Sequence, residues 1–290
     1  DLVIAAGGGS VIDSAKIMAL CATCEYDVWE VMKGKQKPAA AMPLIAVLTL
    51  AATGTEMNPF AVLQNPETKE KIGFGSPHTF PKHSYLDPQY TMSVPADYTA
   101  YGVVDLVAHS LEAYFGKGET PLTDRFIFSI IKEAIEAGPQ LLDNLKDFTL
   151  RERILWASTC ALNGTTAHCK VSGDWGVHDI GHIISFLYDT PHGATLSIAY
   201  PAWMKLMKDK IGERISELGV NVFGTKSIDE TITAFEEVFT GLNSPIKISQ
   251  LNLPEGHEEE ILSLMTKNKV SGYHHILGPE EYQKLIELMR

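Results

Sequence analysis

His178, His182 and His192 fall within fifteen consecutive residues, among glycines and apolar side chains. Upstream, Asp105-Leu106-Val107-Ala108-His109 sets a carboxylate and an imidazole four residues apart. On a helix that spacing places both groups on one face, one turn apart. His178 and His182 repeat it. Three imidazoles and one carboxylate suit a borderline first-row dication such as Fe²⁺ or Zn²⁺, whereas Ca²⁺ and Mg²⁺ prefer oxygen. The expectation is one divalent metal on Asp105, His109, His178 and His192, with His182 beside it. The competing reading is that each histidine is an ordinary core or surface residue, as a lone one on an apolar helix usually is. Clustering at ligand spacing weighs against that. The other histidines are read as non-ligands. His274 and His275 are adjacent and point apart, His257 opens an acidic helix, His78 and His83 flank prolines, and His168 ends a helix.

Rigid elements must deliver these groups. Leu2–Ala6 reads as a strand that runs through Gly7-Gly8-Gly9-Ser10 into an apolar helix. Such a turn lets a phosphate meet N–H groups at a helix start, with Ser10 as cap and Asp13 in the first turn. A plain tight turn uses the same glycines, and G-x-G-x-x-G is absent. Pro43–Thr49 is a second buried strand, ending in Thr49, Thr53 and Thr55, where open α/β sheets place ligands. The hydroxyls could equally cap a turn. Phe60–Gln64 and Lys71–Gly75 flank a turn at Asn65-Pro66-Glu67-Thr68, and Ser84–Pro88 reads as a last strand. Prolines 81, 88 and 95 mark 76–95 as a linker.

Helices follow. Ala96–Phe115 stops at Gly116 as C′ residue. Pro121 opens the next, Thr149-Leu150-Arg151-Glu152 caps one running to His168, and Asp174–Tyr188 carries His178 and His182. His192 lies in the first turn after Thr190-Pro191, and Ser227 opens a further capping box. The expected fold class is α/β plus all-α. Residues 1–94 form a partial Rossmann-like dinucleotide-binding domain, and 95–290 a helical metal and substrate domain.

A net charge of −12 over 290 residues argues against nucleic acid or an anionic membrane as partner. No run of 18 apolar residues suggests a membrane span. The four cysteines form no framework and fit a reducing, cytoplasmic setting. Cys21 and Cys24 form a C-x-x-C, read as part of a buried helix because no second pair completes a zinc site. Asp1–Ala6 looks like the middle of a sheet, so an exposed apolar edge is expected there.

The residues resemble the iron-containing (group III) alcohol dehydrogenase family along the whole chain. The resemblance rests on Gly7-Gly8-Gly9-Ser10-x-x-Asp13, Thr49-x-x-x-Thr53-Gly54-x-Glu56, Asp105-x-x-x-His109, His178-x-x-x-His182 and Pro191-His192-Gly193. Trp175 and Ala202-Trp203-Met204 suggest the butanol dehydrogenase and NADPH aldehyde reductase branch. It implies a dehydroquinate synthase-like architecture and a cytoplasmic homodimer acting on short-chain alcohols or aldehydes, with NADP(H) favoured over NAD(H). It implies Asp105, His109, His178 and His192 as ligands of Fe²⁺ or Zn²⁺, and His182 beside substrate and nicotinamide. Gly8, Gly9 and Ser10 match the pyrophosphate turn, and Asp13 lies near the nicotinamide. Thr49, Thr53 and Lys71 match cofactor contacts. Members of the family carry a further α/β stretch ahead of this start, which meets the adenosine end of the cofactor. The alternatives are a zinc polyol dehydrogenase of the glycerol dehydrogenase kind, and a non-catalytic metal-binding module.

Overall fold

The computed structural model describes Asp1–Arg290. Strand β1 (Val3–Gly7), helices α1 (Gly9–Cys21) and α2 (Val28–Met32) and strand β2 (Leu44–Leu48) come first. Strands β3 (Phe60–Asn65), β4 (Glu70–Gly75) and β5 (His83–Tyr85) follow. β1, β2 and β5 form a parallel sheet in that order, with Ala5 opposite Ala46 and Ala46 opposite Ser84. β3 and β4 pair as an antiparallel hairpin, closed by Asn65, whose Oδ1 accepts the N–H groups of Glu67 and Thr68. The apolar edge expected at Leu2–Ala6 is present: β1 is an edge strand, and Ile4 is 65% exposed.

Seven long helices make the rest: α3 (Ala96–Phe115), α4 (Pro121–Asp143), α5 (Phe148–Leu162), α6 (Gly176–Tyr188), α7 (His192–Val222), α8 (Ile228–Gly241) and α9 (His257–Asn268). Helix α10 (Pro279–Met289) closes the chain. One apolar core runs through these helices from Ala100 to Met289. A smaller one under the sheet joins Ala5, Ile12, Leu44 and Leu48 to Leu155 of α5. From Thr99 on, α3 is buried along nearly its whole length and packs on α4, α5 and α7, so Asp105, His109 and Glu112 face protein, not water.

Several sequence expectations shift. The cap of α5 is Asp147, whose carboxylate accepts the Leu150 N–H, not Thr149; the helix ends at Leu162 because Gly164 turns left-handed (φ 100). Residues 76–95 are not a free linker, since β5 within them completes the sheet. Gly116 is extended (ψ −178), not a left-handed C′; a Cβ there would sit 2.1 Å from the Ser172 carbonyl oxygen, so close approach explains the glycine. Gly8, not Ser10, is the N-cap of α1, and Cys24 lies beyond that helix.

Close approach also sets where α7 begins. A Cβ on Gly193 would stand 2.1 Å from the Tyr101 carbonyl oxygen on α3. Only glycine lets the start of α7, with His192, press on the helix bearing Asp105. Alanine usually stabilises a helix relative to glycine by about 1 kcal/mol. Gly193→Ala will instead cost about 1–3 kcal/mol, because backbone must move. A denaturant midpoint at or above that of the parent would contradict this.

Candidate metal and cofactor site

Asp105 and His109 point from one face of α3, His178 and His182 from α6, and His192 from the first turn of α7. The Oδ1 atom of Asp105 is the common point. It lies 3.7 Å from His109 Nδ1, 3.7 Å from His178 Nε2 and 3.9 Å from His192 Nε2. Asp105, His178 and His192 form the tight trio, each offering one donor atom within 4.8 Å of the others. His109 joins through the shared Asp105 oxygen but falls outside that trio. His182 also stands apart, its ring stacked on His192 at 5.0 Å.

Buried polar atoms normally find partners. Here Asp105 Oδ1, His109 Nδ1, His178 Nε2, His182 Nδ1 and His192 Nδ1 are all buried without a hydrogen-bond partner in the protein. A tetrahedral ion with bonds of about 2.1 Å holds its donors about 3.4 Å apart. The spacings around Asp105 are slightly wider, so a small inward movement closes the shell. The donor set fits a first-row dication.

The local field also favours positive charge. Burial opposes ionisation of Asp105, but His109 and His178 outweigh it and hold its carboxyl below the usual range. Burial likewise opposes a charged His178, yet the neighbouring carboxylates of Asp105 and Glu112 push it up to about 9. Burial takes His109 down to about 4. Burial, reinforced by Lys71 and the other imidazoles, puts His182 and His192 well below the ordinary histidine range. Neutral imidazoles are the ligand form.

The cofactor-side residues gather at the carboxyl ends of β1 and β2, the ligand edge of an open parallel sheet. The N-cap Gly8 offers α1 no side-chain cap, and its first turn holds no acid. The N–H groups and dipole there suit a phosphate. A Cβ on Gly9 would lie 2.9 Å from Thr53 Cγ2, which ties that turn to the Thr53 loop. Thr49 follows β2 directly and donates its N–H to Gly7. Ser10 is exposed at the turn.

Asp13 is occupied by the protein itself. One carboxylate oxygen accepts Thr55 Oγ1–H at 2.6 Å, the other the Val62 N–H at 2.8 Å. Its task is to tie α1 to the hairpin. Lys71 on β4 donates to Ser185 Oγ of α6 at 3.0 Å, so the hairpin braces the helix that carries His178 and His182. Burial lowers the Lys71 ammonium, against the pull of Asp105, Asp189 and Asp13.

Two buried charged residues were not expected. Glu112 accepts bonds from His178 and the start of α6. Its signal was in the sequence: it continues the Asp105, His109 face of α3 at i+7, a lone acid among apolar residues. Lys16 is fully buried under the Thr53–Phe60 turn. Nothing local in the sequence marks it, because its partners lie about forty residues away.

The chain is similar to known proteins along most of its length. Residues 1–88 match the family profile "Iron-containing alcohol dehydrogenase", and residues 99–280 match "Fe-containing alcohol dehydrogenase family, C-terminal". The chain is 37% identical to the probable NADH-dependent butanol dehydrogenase 1 of Bacillus subtilis, over 99% of this chain and 76% of that protein. It is 31% identical to the NADPH-dependent aldehyde reductase YqhD of Escherichia coli, over 99% of this chain and 77% of that one. The crystal structure of an NADH-dependent butanol dehydrogenase A from Thermotoga maritima superposes with a TM-score of 0.95 at 33% identity, covering 99% of this chain and 76% of that one.

Proposed function

The chain belongs to the iron-containing alcohol dehydrogenase family, and from that premise we propose that Asp105, His109, His178 and His192 hold one divalent cation beside its dinucleotide turn. The protein is an NAD(P)H-dependent alcohol dehydrogenase or aldehyde reductase. The observation that carries the cation is that Asp105 Oδ1, His109 Nδ1 and His178 Nε2 converge buried and partnerless, with His192 Nε2 3.9 Å from the same oxygen. Fe²⁺ is favoured by the family and Zn²⁺ is the second choice. The division of labour proposed is dinucleotide binding by 1–94 and metal and substrate binding by 95–290.

When bound, the cation supplies Lewis acidity toward the substrate oxygen, and the dinucleotide supplies or takes up hydride. The chain's own residues do the rest. Gly8, Gly9 and Ser10 present N–H groups to the pyrophosphate, and Thr49 and Thr53 offer hydroxyls beside it. Asp13 keeps the hairpin fixed on α1, and Lys71 approaches the same junction from β4. Trp175, its ring centroid 5.3 Å from that of His178 and 6.2 Å from that of His109, walls one side of the cluster with apolar surface. That wall supports short aliphatic alcohols and aldehydes as substrates. Of the dinucleotides, NAD(H) is read ahead of the NADP(H) expected from the branch resemblance, on the strength of the NADH-dependent relatives; kcat/KM with each checks the choice. Four free thiols support a reducing, cytoplasmic setting, and a homodimer is carried over from the resemblance.

His182 is read as the proton-transfer group. It lies against His192, outside the tight donor trio, with Nδ1 unpartnered. General acid–base catalysis contributes roughly 10²–10⁴-fold. His182→Ala will lower aldehyde reduction about a hundredfold while metal content per chain stays at the parent's. Equal loss of metal and turnover would make His182 a ligand instead. Absence of any NAD(P)H oxidation by the metal-loaded parent, with aldehyde present, would overturn the functional reading.

A further inference from the structure

Glu112 is buried beside the cluster, at 1% exposure, and it touches no reacting group. Its Oε1 lies 2.8 Å from His178 Nδ1 and accepts the His178 backbone N–H at 3.1 Å. Its Oε2 accepts the Trp175 N–H at 2.5 Å. Trp175 is the N-cap of α6 in a left-handed conformation (φ 66) that a bulky side chain rarely adopts, and its own side chain caps nothing. A carboxylate from α3 therefore does the capping. It takes the His178 N–H of the first turn, Asp174 takes that of Gly176, and Glu112 places negative charge at the helix's positive end.

We infer that Glu112 is the positioning carboxylate of the metal site: it fixes His178 as the Nδ1–H tautomer and aims Nε2 at the cation. This rests on the proposed metal site. With the proton of neutral His178 on Nδ1, the lone pair is on Nε2, the nitrogen 3.7 Å from Asp105 Oδ1. A carboxylate behind a ligating imidazole also raises its basicity. The charges agree. A dication that displaces the His178 Nε2 proton is balanced by the two carboxylates, Asp105 and Glu112, in a buried setting. The same bonds hold the Trp175 backbone, so the indole, 5.3 Å from the His178 ring, keeps its place in the wall.

The test is metal affinity, not turnover. Glu112→Gln keeps the shape but removes the charge and turns an amide N–H₂ toward one of the donors. In chelator competition with Co²⁺, its affinity will fall about 10–100-fold, and the d–d absorption will change with the altered imidazole geometry. Phe239→Leu, a core change in α8, will lower the melting temperature and keep the parent's affinity. Affinity and spectrum unchanged in a folded Glu112→Gln would reduce Glu112 to a structural residue and overturn the inference. A second measurement needs no variant. In the parent loaded with ¹¹³Cd²⁺ and ¹⁵N-histidine, His178 will show cadmium coupling at Nε2 and a proton on Nδ1. Coupling at Nδ1 overturns the inference alone, whereas a parent that binds neither Co²⁺ nor Cd²⁺ overturns the metal site itself.

Discussion

Asp105→Asn will leave the chain folded, strip it of its cation and cut aldehyde reduction by roughly 10³-fold or more. Asp105 is the only carboxylate in the donor trio, and its Oδ1 is the point from which three imidazole nitrogens stand 3.7, 3.7 and 3.9 Å away. Asparagine keeps the volume, so packing of α3 survives. It removes the charge that a buried dication needs, and its amide offers a weaker donor. Lewis-acid polarisation contributes several kcal/mol to the barrier, and each 1.36 kcal/mol is about tenfold in rate. Metal content by elemental analysis and initial rate on the same preparation check it. Full metal content with full activity would remove Asp105 from the site.

Lys16→Met will destabilise the protein by about 3–5 kcal/mol, the range for removing one partner of a buried charge network. The Lys16 ammonium is fully buried and donates to Thr55 Oγ1 and the Asn58 carbonyl oxygen at 2.8 Å and to the Phe60 carbonyl oxygen at 2.6 Å. Burial lowers it to about 8, against the pull of Asp13 and Glu56. Both carboxylates are themselves raised by burial. Methionine fills most of the volume, but leaves those acids without their cation and three acceptors without a donor. The same residues hold the Thr53 turn on α1, so dinucleotide affinity will weaken as stability falls. Equilibrium urea unfolding measures the first effect and fluorescence titration with NADH the second. A stability loss under about 1 kcal/mol would show that the network is not what holds the turn.

Much of this arrangement was readable in the sequence because it is local. The strand runs at Leu2–Ala6 and Pro43–Thr49 and the Asn65-Pro66 turn carry their own signals, and the structure has β1, β2 and the hairpin there. Asp105 and His109, and His178 and His182, announced themselves because four-residue spacing on a helix puts chemistry on one face. What failed was set by distant partners. The prolines of 76–95 suggest a linker, but Ser84 and Tyr85, legible as a last strand, pair with β2 inside that stretch. Gly116 looked like a helix stop and is a glycine because the Ser172 carbonyl oxygen passes beside it. Thr149 matched a capping box, yet Asp147, two residues earlier, takes the cap. Glu112 is legible in phase on α3, seven residues after Asp105. Lys16 had no local sign, since an amphipathic helix often carries a lysine and only the fold buries this one.

The central claim is that two helices and the first turn of a third bring one carboxylate and three imidazoles to a single cation. Anomalous diffraction at the iron or zinc edge, from crystals grown with that metal, addresses it directly. The account predicts one strong peak about 2.0–2.3 Å from Asp105 Oδ1, from the Nε2 atoms of His178 and His192, and from one ring nitrogen of His109. A peak elsewhere, or none among these four residues at saturating metal, would contradict it.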